Sequence, residues 1–207
     1  MDAGRDRRHA VVRLYVEGGG DSKELHARCR EGFRKLLENC GLRGRMPRIV
    51  ACGSRNAAFA DFRTAQQDGA GAAFLLVDSE RPMADVEGTR VHLQAGDGWE
   101  FPEGVTDEQV LLMTTCMETW IVADRDALRA YFGQGLREAS LPPLPDLESR
   151  DRQTVQRSLT DATRNSGETY SKGKVSFALL GRVNPDTLDR NLPSFRRVRR
   201  ILISKLK

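Results

Sequence analysis

Two short apolar runs in this chain stop abruptly in acid. Leu14-Tyr15-Val16 runs into Glu17 and then Gly18-Gly19-Gly20-Asp21, and Phe74-Leu75-Leu76-Val77 runs into Asp78-Ser79-Glu80. A strand that is apolar along its whole length belongs in a parallel sheet covered on both faces, and it opens to solvent only at its carboxyl end. Helical patterns lie between such runs. Asp21 to Gly41 carries Leu25, Cys29, Phe33, Leu36, Leu37 and Cys40 at helical spacing. A second pattern, with Ala57, Ala58, Phe59, Phe62 and Ala65, follows a capping Ser54 and stops at Gly69. With strands expected over Arg8–Glu17, Pro47–Ala51 and Ala72–Val77, the order is β-α-β-α-β. Right-handed crossovers turn that order into a mainly parallel sheet flanked by helices, an α/β fold.

Beyond the third strand the pattern changes. The stretch 81–109 is rich in Gly, Pro and acid and is expected to form a long loop, with only Arg90-Val91-His92-Leu93 ordered. Loops of this length beside a site-bearing strand are more often functional than accidental. Val110 to Thr115 is expected as a fourth strand, running into one helix from Met117 to Phe132. Ser140-Leu141-Pro142-Pro143-Leu144-Pro145 reads as a stiff linker within 140–150. A polar helix from Thr154 to Asn165, a basic turn at Tyr170-Ser171-Lys172-Gly173-Lys174, a helix from Val175 to Leu180 and a last helix from Ser194 follow. The expected organisation is an α/β domain over 1–139 with about four strands, and a basic helical appendage over 151–207. The appendage has too few apolar residues for its own core and should pack on the sheet domain.

Composition narrows the classes. At 207 residues the chain can bury a substantial core, and 39% hydrophobic with 30% charged residues describes a wet surface. No apolar run approaches a membrane span, and the first residues lack a signal-peptide core, so a cytoplasmic location is expected. Cys29, Cys40, Cys52 and Cys116 are scattered without a C-x-x-C pair, which argues against a zinc site or a disulfide framework. The net charge is +4. After Asp189 there is no acid, while Arg190, Arg196, Arg197, Arg199, Arg200, Lys205 and Lys207 follow. Such a terminus can hold a nucleic-acid backbone by counterion release, or it can be a solvated helix face.

In open α/β sheets ligands bind beyond the carboxyl ends of the strands. Glu17, Asp78 and Glu80 delivered to one edge would form a cluster of hard oxygen ligands suited to Mg²⁺ (or Mn²⁺) and phosphate chemistry. Asp78 and Glu80 are two apart, so in extended chain they face the same way. Gly18, Gly19 and Gly20 permit a tight turn and leave amides open to phosphate, with Lys23 a further candidate contact. Glu118 follows the fourth run as Glu17 follows the first. It is either a further metal ligand or an acid placed in a helix's first turn by the macrodipole. Lys172 and Lys174 are candidate phosphate contacts or residues of an exposed turn. Trp99 and Trp120 read as packing residues. G-x-G-x-x-G is incomplete because Lys23 stands at the third glycine position, and no G-K-[ST], G-x-S-x-G or H-E-x-x-H occurs.

Val16-Glu17-Gly18-x-x-Asp21, a helix, a strand, then an apolar run ending in Asp78-x-Glu80 resembles the Toprim domain of topoisomerases, bacterial primases, maturation ribonucleases and overcoming-lysogenization-defect nucleases. His92-Leu93, Asp97-Gly98-Trp99, Met117-Glu118-x-Trp120, Ala123-Asp124 and Ser194-Phe195 are similar to a small bacterial Toprim-like family of unknown function, the domain-of-unknown-function 4276 type. The resemblance implies that Glu17 handles a proton and that Asp78 and Glu80 hold Mg²⁺, with Glu80 in place of the usual second Asp. It implies a metal-dependent nuclease, an effector of a bacterial defence or mobile-element module with an ATPase partner. The alternative is a Toprim-like regulatory subunit that does not cleave. A homodimer is the default assembly for a small bacterial protein.

Overall fold

The computed structural model describes residues 11–69 and 72–206. Residues 8–10 of the expected first strand and Lys207 of the basic tail lie outside them. Four parallel strands form one sheet in the order β2-β1-β3-β4: β1 (Arg13–Gly19), β2 (Arg48–Gly53), β3 (Ala73–Asp78) and β4 (Val110–Met113). The expected α/β architecture is thus present. Chain order reverses at β1: the connection through α1 (Lys23–Leu37) leads outward to β2, and that through α2 (Arg55–Gln67) returns past β1 to β3. Such a reversal opens a crevice between the carboxyl ends of β1 and β3, where α/β sheets place their ligands.

Side-chain alternation sorts the strands into two cores. Leu14, Val16, Phe74, Leu76, Leu111 and Met113 face one side, where α1 supplies Cys29, Phe33, Leu36 and Leu37. Tyr15, Leu75, Val77, Val110 and Leu112 face the other, covered by Ala58, Phe59 and Phe62 of α2. Every residue of β3 is buried, as an apolar strand between two helical layers requires. Ser54 caps α2 by accepting from the Ala57 N–H at 3.1 Å, as its position predicts.

The stretch 81–109 is not wholly a loop. It contains α3 (Thr89–Asp97), which ends at Gly98 in the left-handed conformation and buries Leu93 in the second core. One buried leucine in nine residues is too sparse a stripe for periodicity to reveal. The helix expected over Met117–Phe132 is two, α4 (Met117–Ala123) and α5 (Arg125–Phe132). The break falls at Asp124, a buried carboxylate that accepts from the Ala127 N–H at 3.1 Å and from the distant Asn184 N–H at 2.7 Å. That second partner lies 60 residues on, so no local pattern announces the break.

The remaining chain covers the first core. It forms α6 (Arg152–Thr163), α7 (Lys174–Leu180), α8 (Pro185–Asn191) and α9 (Pro193–Lys205). α8 was not expected; Asn184 caps it and Pro185 starts it. Leu141 and Leu147, both within the expected linker 140–150, are buried in the same cluster as Leu159, Phe177, Leu188, Phe195 and Ile201. α9 packs against β4, and α7 lies against α1. One continuous core therefore joins the sheet to the C-terminal helices.

Candidate metal centre

β1 and β3 are neighbours, and their carboxyl ends bring Glu17 and Asp78 together. A carboxylate oxygen of Glu17, one of Asp78 and one of Glu80 all lie within 4.8 Å of one another. Glu17 Oε2 accepts the Asp78 backbone N–H at 3.0 Å, and Asp78 Oδ1 accepts the Met117 N–H, the first of α4, at 2.8 Å. Glu80 arrives by a different route from the one expected. β3 ends at Asp78, and Glu80 adopts a left-handed φ of 63°, its N–H donating to Thr115 O at 3.0 Å. A turn, rather than strand alternation, aims its carboxylate back at the other two.

The site's electrostatics follow from its depth. Asp78 is only 7% exposed; burial, then the charges of Glu17 and Glu118, push its carboxyl well above the usual range. Burial also raises Glu17, against the Asp78 N–H bond and the charges of Arg55, Arg152 and Lys172. Carboxylates crowded in a low-dielectric pocket call for protons or a cation between them. The donor set, three hard oxygen ligands at one point, fits Mg²⁺ or Mn²⁺ and does not suit a soft metal.

Above the cluster lies a half-open pocket of about 290 Å³. Gly18, Gly19 and Gly20 line it, all with positive φ (134°, 93° and 50°). At Gly19 a side chain is excluded twice over, by that φ and by His26, whose ring would lie 2.5 Å from a Cβ. The His26 Nε2–H donates to Gly20 O at 2.6 Å and holds the turn. Glu118 and Lys172 line the same pocket. Glu118 is 2% exposed and lies outside the three-carboxylate group. Its oxygens accept from Tyr170 Oη at 2.8 Å and Gln156 Nε2 at 3.2 Å, with Lys172 Nζ at 3.8 Å. Glu118 thus holds the rim that presents Lys172.

Other candidates fall elsewhere. Lys23 is exposed in the first turn of α1, and Lys174 is 3.9 Å from Glu168. The arginines of the tail bond within the protein, although Arg196 and Arg200 stay exposed. Arg197 is 2% exposed and donates to Glu87, Val110 O and Asp107 O, so it is corrected from a nucleic-acid contact to a buried strut. Arg199 pairs with Asp186, Arg200 with Glu87, and Arg196 donates to Asp189 O.

Sequence reasoning passed over two guanidinium groups. Arg55, just past the end of β2, donates through Nε to Asp78 O at 2.8 Å, pairs with Asp97 and lies 4.6 Å over the Trp99 ring. Trp99 in turn stacks on Phe59 at 4.2 Å. The Asp97-Gly98-Trp99 motif thus steadies the strand end that carries Asp78. His92 adds to this, its Nε2–H donating to Ser79 O at 2.9 Å. Arg152, at the start of α6, pairs with Glu80. The position of Arg55 at a third strand end was a usable signal; Arg152 had none.

Fold and site together define a three-layer α/β protein with an acidic pocket at the reversal point of a parallel sheet. The chain belongs to the family described as Domain of unknown function (DUF4276), whose model matches residues 16–202. No curated protein and no solved structure matches it. Among the described residues no helix is long and apolar enough to cross a membrane.

Proposed function

We propose that this protein is a Toprim-like, Mg²⁺- or Mn²⁺-dependent phosphodiesterase that hydrolyses nucleic acid. The observation that carries the reading is the convergence of Glu17, Asp78 and Glu80 within 4.8 Å at the carboxyl edge, with Glu17 and Asp78 lining a pocket beside Gly18, Gly19 and Gly20. Asp78 and Glu80 would hold the ion. The chemistry supplied by a divalent ion at such a site is polarisation of a phosphoryl oxygen and a lowered pKa for the attacking water. Glu17, raised by burial, is suited to exchanging a proton with water or the leaving oxygen. Lys172, exposed at the rim, would meet the backbone phosphate without reading sequence. A role as effector in a bacterial defence or mobile-element module, with an ATPase partner, rests on the family resemblance.

The Glu80–Arg152 ion pair favours a second reading, in which the acidic site is kept by a regulatory subunit that does not cleave. One experiment separates the two. Supercoiled plasmid, single-stranded DNA and RNA are each incubated with the protein in Mg²⁺, in Mn²⁺ and in EDTA, alongside Glu17→Gln and Asp78→Asn. Hydrolysis is expected with metal only, and should fall at least ~100-fold in either variant, the usual loss for a proton-transfer group or a metal ligand. Cleavage that survives EDTA or both substitutions would sink the nuclease reading.

A further inference from the structure

Arg152 enters the acidic site from the C-terminal half of the chain, as the first residue of α6. Its Nη1 pairs with Glu80 Oε2, and its charge is also felt by Glu17 and Asp78. Glu80 and the segment that leads into Arg152 are tied to one residue. Thr115 accepts the Glu80 N–H at its carbonyl (3.0 Å), and its hydroxyl donates to Arg150 O (3.1 Å). Asp151 then caps α6 by accepting from the Gln153 and Thr154 N–H groups at 2.9 and 3.1 Å. The two backbones are pinned, and the freedom left is in the long side chains. Arg55, another guanidinium near the cluster, has no such freedom, because Asp97, Asp78 O and Trp99 hold it.

A guanidinium on a metal-ligand carboxylate competes with the metal, since both neutralise the same charge. A divalent ion among these carboxylates would also repel Arg152. A phosphate joined to that ion would offer Arg152 a new anion, whose paired oxygens match the guanidinium fork. Resting on the nuclease reading above, we propose that Arg152 is a catalytic phosphate clamp held in reserve by Glu80. When the site takes its divalent ion, Glu80 exchanges the guanidinium for the ion, and Arg152 turns to the non-bridging oxygens of the substrate phosphate.

The test uses the full chain as wild type, Arg152→Ala and Arg152→Lys, each checked for native helix content by circular dichroism. Mn²⁺ affinity is read from the free-ion paramagnetic resonance signal. Binding of a phosphorothioate oligonucleotide is then read at saturating Mn²⁺. Arg152→Ala should bind Mn²⁺ several-fold more tightly and the oligonucleotide about 10-fold more weakly, the worth of one charge-assisted hydrogen bond. Arg152→Lys should restore Mn²⁺ binding toward wild type and recover part of the oligonucleotide affinity. A residue that merely props up the site would weaken both on removal. Affinities that fall together in Arg152→Ala, or an unchanged Mn²⁺ affinity, would overturn the proposal. Neither readout needs turnover, so a wild type that binds but cleaves nothing counts against the nuclease reading while the clamp is still decided by these affinities.

Discussion

At the scale of single residues, several side chains in this protein serve two distant segments at once. Asp124 caps α5 and anchors the turn before α8. Arg55 joins α3 to the end of β3. Glu148 does the same for α9, accepting the Ser194 N–H at 3.1 Å on both oxygens and the Ser194 hydroxyl as well. Burial raises the Glu148 carboxyl above its usual range, and the Ser194 bonds only partly oppose the shift. The folded state therefore binds this proton more tightly than the unfolded chain. Between the unfolded and the raised folded pKa, stability falls as pH rises, and above the folded pKa the loss is complete. Glu148→Gln keeps an acceptor for Ser194 without the charge. Urea denaturation across the acid-to-neutral range should show the variant gaining on wild type as pH rises through that window. A difference that stays flat with pH would contradict it.

At the scale of elements, the contact between α1 and α7 sets the pocket's outer wall. Gly32 on α1 meets the backbone of α7 so closely that a Cβ there would lie 2.6 Å from Phe177 O. Phe177 also lines the pocket beside Gly18. Gly32→Ala gains helix propensity, worth up to ~1 kcal/mol, but forces two helices apart, and overpacking of this kind costs about 1–3 kcal/mol. Overpacking should win, because backbone cannot swing aside as a side chain can. Net destabilisation by chemical denaturation is expected, with weaker oligonucleotide binding as the wall moves. A stabilised Gly32→Ala variant would mean that the helices slide apart at no cost.

At the scale of the whole molecule, the sheet depends on the chain's last third. Leu14, Val16, Phe74, Leu76, Leu111 and Met113 are covered by one cluster that includes Leu159, Phe177, Leu188, Phe195 and Ile201. Arg197 reaches from α9 to Glu87, Val110 O and Asp107 O, tying the end of the chain to both ends of the 81–109 stretch. Ending the chain at residue 139 would bare an apolar sheet face. The fragment should be insoluble or lack a cooperative unfolding transition, whereas the full chain should unfold in a single calorimetric peak. A soluble fragment 1–139 with a sharp transition of its own would show two units where one core is drawn.

Much of this was legible in the sequence because it is local. Uninterrupted apolar runs mark buried parallel strands, helical spacing marks α1 and α2, and Ser54 marks a cap; each signal sits within a few neighbouring residues. Acid at the ends of apolar runs marks Glu17, Asp78 and Glu80 in the same local way. Other features had no local trace. α3 has one buried leucine, the break at Asp124 is held from residue 184, and Glu80 reaches its partners through a left-handed turn. The basic tail shows the difference most plainly. Its composition resembles a nucleic-acid grip, yet Arg197 is buried against Glu87, 110 positions away. By itself the sequence determined the strands, the main helices and the acidic edge, since backbone propensity and burial pattern act over short spans. Only the tertiary structure decided which charges remain open to a ligand, because long side chains choose their partners across space and leave no periodic mark along the chain.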